Sequence, residues 1–198
     1  MNKLANHTSL KEWASAIDAL GRGEQVILIR KGGIADPTFG VEAERFYLYP
    51  TYFHQPDAAP QDGSVTITHW CEVVRTWRVR ELDKLFALEP HVVFPHDALI
   101  ARYSFRPDQA LHILGVRTSA LPQPVRIVAK DEYAGCRSWV SIDDEIDVDG
   151  SIPALSNDAL RAKLDAIDAL LAQHEVADCR RDQLSVRVVN VAGADADA

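Results

Sequence analysis

The chain has no apolar run approaching the roughly 20 residues needed to cross a bilayer. Its opening residues, Met1-Asn2-Lys3-Leu4-Ala5-Asn6-His7, lack the apolar segment of a secretory signal. Cysteine is scarce: Cys71, Cys136 and Cys179 lie far apart and form no even set. They make neither a disulfide framework nor a Cys-x-x-Cys pair, so they read as reduced thiols of a cytoplasmic protein without a structural zinc. A phosphate-binding P-loop is missing too, because no spaced first glycine or closing Lys-Ser/Thr accompanies Gly32 and Gly33. A restriction-type nuclease would carry an acidic residue two places before a strand lysine. Met1, Ser9, Ile29, Leu82, Val128 and Arg161 occupy those places here, and none is acidic.

What is present suits one generous domain. Of the 198 residues, 47% are hydrophobic and 25% charged, enough to fill a core beneath an ordinary polar surface. The net charge of −8 is unevenly placed. Residues 1–142 carry sixteen basic and sixteen acidic side chains, whereas residues 143–198 carry five and thirteen. A neutral body can still present a local basic patch, so the acidic total does not exclude an anionic partner.

Hydrophobic spacing predicts an α+β fold with a mixed, mainly antiparallel sheet, either open or curled into a small barrel, and flanking helices. Ser9 and Glu12 have the spacing of a capping box, with Leu10, Trp13, Ala14, Ile17 and Leu20 as the apolar face of a first helix. The run 25–30 reads as a central strand and 45–50 as a second. Residues 65–80 read as a strand bent near Val73-Val74, followed by helices over 81–88 and 96–103. Pro122 and Pro124 divide two further strands, 110–119 and 124–129, before a last one over 137–142. The domain so defined spans 1–142. Residues 143–155 read as an acidic linker, and 156–198 as a helical extension with a short strand over 184–191 and a disordered tail. Ser156 caps the C-terminal helix, whose Leu160, Leu164, Ile167 and Leu171 form one apolar stripe. That stripe packs on the body or, alternatively, on a second copy as a homodimer. Separated from it, the body is expected to stay soluble.

Several motifs in order resemble one family. Lys11-Glu12-Trp13, Ile29-Arg30-Lys31-Gly32-Gly33-Ile34, Tyr49-Pro50-Thr51-Tyr52-Phe53-His54-Gln55 and Gly135-Cys136-Arg137-Ser138-Trp139-Val140 are similar to the bacterial domain of unknown function 1802 over roughly residues 9–142. The resemblance implies no activity. The family's association in some proteins with a restriction-endonuclease-type domain implies a link to restriction-modification.

The residues themselves point to an anion site. Arg30 and Lys31 end an apolar strand directly before Gly32 and Gly33, where successive amides can form an anion nest. The competing reading is a strand-end turn with two solvated cations. Arg45, Tyr52, His54 and Gln55 bring a cation, a ring, an imidazole and an amide, and Arg137 offers a second anion contact. Cys136 beside Arg137 reads as packing, since nothing places a histidine base beside it. His69 and Cys71 share a strand face, but the spacing of a metal site is missing, and no cofactor is expected. These readings give a module that binds nucleic acid or a nucleotide through phosphate. One alternative is a phosphate-ester hydrolase using His54, with the same cations as clamps. The other is a protein-interaction module using the Leu160–Leu171 stripe.

Overall fold

The computed structural model describes residues 4, 7–31, 39–52, 60, 62–135 and 137–173. In chain order its elements are β1 (Thr8–Trp13), α1 (Ala14–Gly21), β2 (Ile27–Arg30), β3 (Arg45–Thr51), β4 (Ser64–Val79), α2 (Leu82–Leu88), α3 (His96–Ser104), β5 (Leu111–Val128), β6 (Trp139–Ser141), β7 (Ile152–Pro153) and α4 (Asn157–Gln173). The fold is α+β. One sheet runs in the order β2-β5-β4-β3-β1-β6, with β7 added to β5. Only β1 and β3 pair in parallel; every other described ladder is antiparallel.

The long β4–β5 pair is the spine of this sheet, and its irregularities explain its shape. The register slips between Val73 and Arg75, where the sequence predicts a bend. Pro122 and Pro124 do not end a strand, as the sequence reading had it. Pairing passes from Ala120–His69 to Val125–Ile67, and both prolines fall in the unpaired interval, where no ladder hydrogen bond is lost.

The first element departs most from expectation. Residues 8–13 form a strand, and the helix begins only at Ala14. Ser9 caps nothing; its hydroxyl donates to the Tyr47 carbonyl at 3.2 Å. Glu12 is buried at 1% exposure and pairs with Arg30 instead of closing a capping box with Ser9. Local spacing favoured a helix, but β3 and β6 both need a partner and β1 fills the gap between them.

Strand β2 is buried without being central. It ends the sheet and pairs only with β5, yet all four of its residues are buried. Ile27 and Ile29 share a cluster with Leu85, Leu88 and Leu99, while Leu28 packs with Ile17 and Leu20 on the other face.

No backbone pairing joins β2 to β1 or β6, so the sheet is open rather than a closed barrel. It is nevertheless strongly curled. In a flat sheet β2 and β1 would stand four strand spacings, roughly 19 Å, apart. Instead the Arg30 guanidinium on β2 donates to the Lys11 carbonyl on β1 at 3.0 Å. Phe39 spans the same seam, its ring 5.4 Å from His112 on β5 and 5.9 Å from Trp139 on β6.

The C-terminal helix packs on its own chain. Ser156 caps it through the Ala159 amide at 3.3 Å. Leu160, Leu164, Ile167 and Leu171 lie in the same buried cluster as Ile27, Ile29 and Trp77. Gly115 on β5 permits this approach, because a Cβ there would meet Leu164 Cδ2 at 2.8 Å. Arg75 on β4 pairs with Asp165 and Asp168, fixing the helix to the sheet. The stripe that a homodimer or interaction module would use is therefore covered by the chain itself. The acidic stretch is also anchored, since Ile142 and Ile146 are buried and Tyr47 Oη donates to the Ile146 carbonyl at 2.9 Å. The strand expected over 184–191 and the tail lie outside the described residues. No described helix is long and apolar enough to cross a membrane.

Ile167→Ala is expected to cost about 2–5 kcal/mol in urea unfolding, the usual range for truncating a fully buried aliphatic side chain. A chain ending at residue 150 would lose the whole stripe. It should aggregate or melt far below the full chain, rather than remain soluble as composition alone suggested.

Candidate functional site

Where the ends of β1 and β2 meet, a cleft of about 320 Å³ is lined by Trp13, Ile29, Arg30, Lys31, Arg102, Arg137 and Ser138. Four cations face one volume, and one of them, Arg30, pairs with the Glu12 carboxylate beneath it. Each cation arrives from a different part of the fold. Arg30 closes β2, Lys31 follows it, Arg102 projects from α3, and Arg137 stands just before β6.

Arg30 and Lys31 are not solvated, being only 9% and 8% exposed. Arg30 Nη1 donates to Glu12 Oε2 at 3.2 Å as well as to the Lys11 carbonyl, and Glu12 Oε1 accepts from the Trp13 amide at 2.8 Å. Arg30 Nε is buried and has no hydrogen-bond partner among the described residues. A buried N–H left unpaired is costly, so an acceptor beyond the described residues is expected for it. Lys31 Nζ donates to the Tyr103 carbonyl at 2.6 Å. Burial holds its ammonium below the usual lysine range, with Asp108 opposing and Arg80 adding to the shift.

Arg102 is the residue that sequence reasoning missed. Its guanidinium lies 4.4 Å from the centre of the Phe94 ring and donates to the Ile29 carbonyl. Burial pushes it down to about 10, with Glu12 opposing and Arg30 reinforcing the fall, so it stays charged at neutral pH. Trp13 meets Phe94 edge to face at 4.9 Å and completes an aromatic wall. Arg137, in contrast, is exposed and can reach out to a ligand.

The other expected site residues divide. Arg45 does not join the cleft: it begins β3, five residues before Pro50, the partner of Glu12, and its guanidinium pairs with Glu72 at 2.8 Å. Tyr52 lines a separate cavity of about 210 Å³ with Lys11, Tyr49 and Tyr133. Gly32, Gly33, His54, Gln55 and Cys136 lie outside the described residues. Among the described residues no three His, Cys, Asp or Glu side chains group as metal ligands would.

Comparison with known proteins places the chain. The family described as a domain of unknown function, DUF1802, matches residues 9–166. The chain belongs to the DUF1802 family. The match runs past the acidic stretch into α4, beyond the limit near residue 142 that motifs alone suggested. No curated protein matches. Among solved structures, ASCH from Zymomonas mobilis is 11% identical, covering 80% of this chain and 93% of that one at a TM-score of 0.45. A tyrosine-to-phenylalanine mutant of the same protein is also 11% identical, with coverages of 80% and 96% and a TM-score of 0.45. This similarity is too distant to bear on function. For this DUF1802 member the argument rests on its own cleft.

Glu12→Gln keeps the shape of the side chain and strands a buried guanidinium. A loss of about 3–5 kcal/mol in urea unfolding is expected, the cost of breaking rather than replacing a buried pair. Glu12→Leu combined with Arg30→Met should lose less than Glu12→Leu alone. A loss below about 1 kcal/mol for Glu12→Gln would mean the pair is solvated.

Proposed function

We propose that this protein binds nucleic acid or a nucleotide through phosphate, using Arg30, Lys31, Arg102 and Arg137. The observation that carries the reading is the cleft itself, with four cations around it, the buried Arg30–Glu12 pair at its edge and an Arg30 Nε without a partner among the described residues. Fixed guanidinium donors in a partly dry site favour phosphate oxygens, and the volume admits a nucleotide-sized group.

A binding role is supported over hydrolysis. No imidazole lines the cleft among the described residues, and the buried cations are held by carbonyls and Glu12 rather than poised to move a proton. Service beside a restriction-modification enzyme, the context implied by the family resemblance, would suit such a module.

Fluorescence anisotropy with labelled oligonucleotides tests the reading at several salt concentrations. Binding should weaken as salt rises, because each neutralised phosphate releases counterions. Arg137→Ala, at an exposed position, should reduce affinity and flatten the salt slope by about one unit while leaving the melting temperature in place. Lys31→Ala should flatten it equally. Absence of binding at low salt by the folded chain would overturn the proposal.

A further inference from the structure

We infer that the cleft continues into a second phosphate subsite formed by His112 and Arg78, so that the ligand is a nucleic-acid chain spanning at least two phosphates. This rests on the reading of the first cleft as a phosphate site and names the length and form of what it holds.

The register of the sheet carries the argument. Arg30 on β2 pairs with His112 on β5, and His112 pairs with Arg78 on β4. Residues opposite one another across a ladder point to the same face, so the three side chains form one row. The row crosses two strand spacings, about 10 Å, farther than the oxygens of one phosphate group can bridge. At its far end lies a cavity of about 480 Å³, lined by Phe39, Thr76, Arg78, His112 and Leu114 among others. Among the described residues no acidic side chain lines it. Phe39, which lines this cavity, also reaches a residue of the first cleft: the Arg30 guanidinium lies 5.8 Å from its ring centre and the His112 ring 5.4 Å.

Arg78 is built to meet something. It is exposed, and it makes neither an ion pair nor a side-chain hydrogen bond among the described residues, unlike Arg75 on the same strand and Arg45 and Arg117 on the neighbouring ones. An arginine left unpaired in a row with two other basic side chains raises the local potential. The charged groups around His112 are Arg78 on β4 and Arg30 on β2, with the Phe39 ring against its face. Burial, then Arg78, hold the imidazole below the usual histidine range, so it is uncharged near neutrality. A phosphate beside it favours the protonated form and raises that value. Binding therefore takes up a proton and tightens as pH falls.

The test measures affinity of the full chain for thymidine monophosphate, for 5′-phosphorylated thymidine oligomers of two to eight units, and for inorganic polyphosphate. Affinity is expected to rise about tenfold or more once the oligomer spans both subsites. Arg78→Ala should abolish that gain with length. The longer oligomers should also bind more tightly at pH 6 than at pH 8, and His112→Gln should lose this dependence while still melting cooperatively. Polyphosphate bound as tightly as the oligomers would overturn the assignment to a nucleic-acid strand. If Arg137→Ala weakens binding but length and Arg78→Ala make no difference, the first cleft stands and the second subsite falls. If the wild type binds none of the probes at low salt, both fall.

Discussion

The fold and the candidate site both depend on the buried pair of Arg30 and Glu12. It joins β2 to β1 across a seam that no ladder closes, holding the sheet in its curl. A buried ion pair is a poor source of net stability, because desolvating both groups offsets most of their attraction. Its value here is positional. Glu12 holds Nη1 of the guanidinium at the edge of the cleft, while Nε has no partner among the described residues. Among the described residues the cleft lining carries four cations, and Glu12 ion-pairs with one of them, so positive charge is in excess there.

Apolar packing fixes the position of that pair. Phe39 and Trp139 close the seam beside Arg30, Trp139 Nε1 donating to the Gly40 carbonyl at 2.8 Å. On the opposite face α4 seats against β5 and covers Ile27 and Ile29, immediately before Arg30. The Phe94 ring supports Arg102, and Trp13 supports Phe94. Arg30, Lys31 and Arg102 are thus held by packing and hydrogen bonds, and such preorganisation lowers the ordering cost of binding.

Much of the sheet was legible because periodicity reports it directly. The strand over 65–80, its bend at Val73-Val74 and the helices over 81–88 and 96–103 all follow from spacing and prolines. Residues 8–13 were misread because Ser9 and Glu12 satisfy a local capping pattern, while their true partners, Tyr47 and Arg30, lie 38 and 18 residues away. The same long separation hid Glu12 from the candidate site. Arg30, Lys31 and Arg137 were visible as cations at the ends of strands, and the structure gathers them at one cleft. Arg45 was visible for the same reason and sits elsewhere, since spacing cannot say to which end of a sheet a strand terminus belongs. Arg102 did leave a signal: it stands three residues after buried Leu99, which puts a charge on the apolar face of α3.

The measurement that bears most directly on this account is the NMR signal of the Arg30 Nε–H group, followed while a phosphate-bearing oligonucleotide is added. If the pair with Glu12 aims this donor at a ligand, the signal should shift in a saturable way and its exchange with water should slow. Glu12→Gln should scatter the group and remove the shift in protein that remains folded. An Nε–H signal that ignores the oligonucleotide while binding is observed elsewhere on the protein would contradict the account.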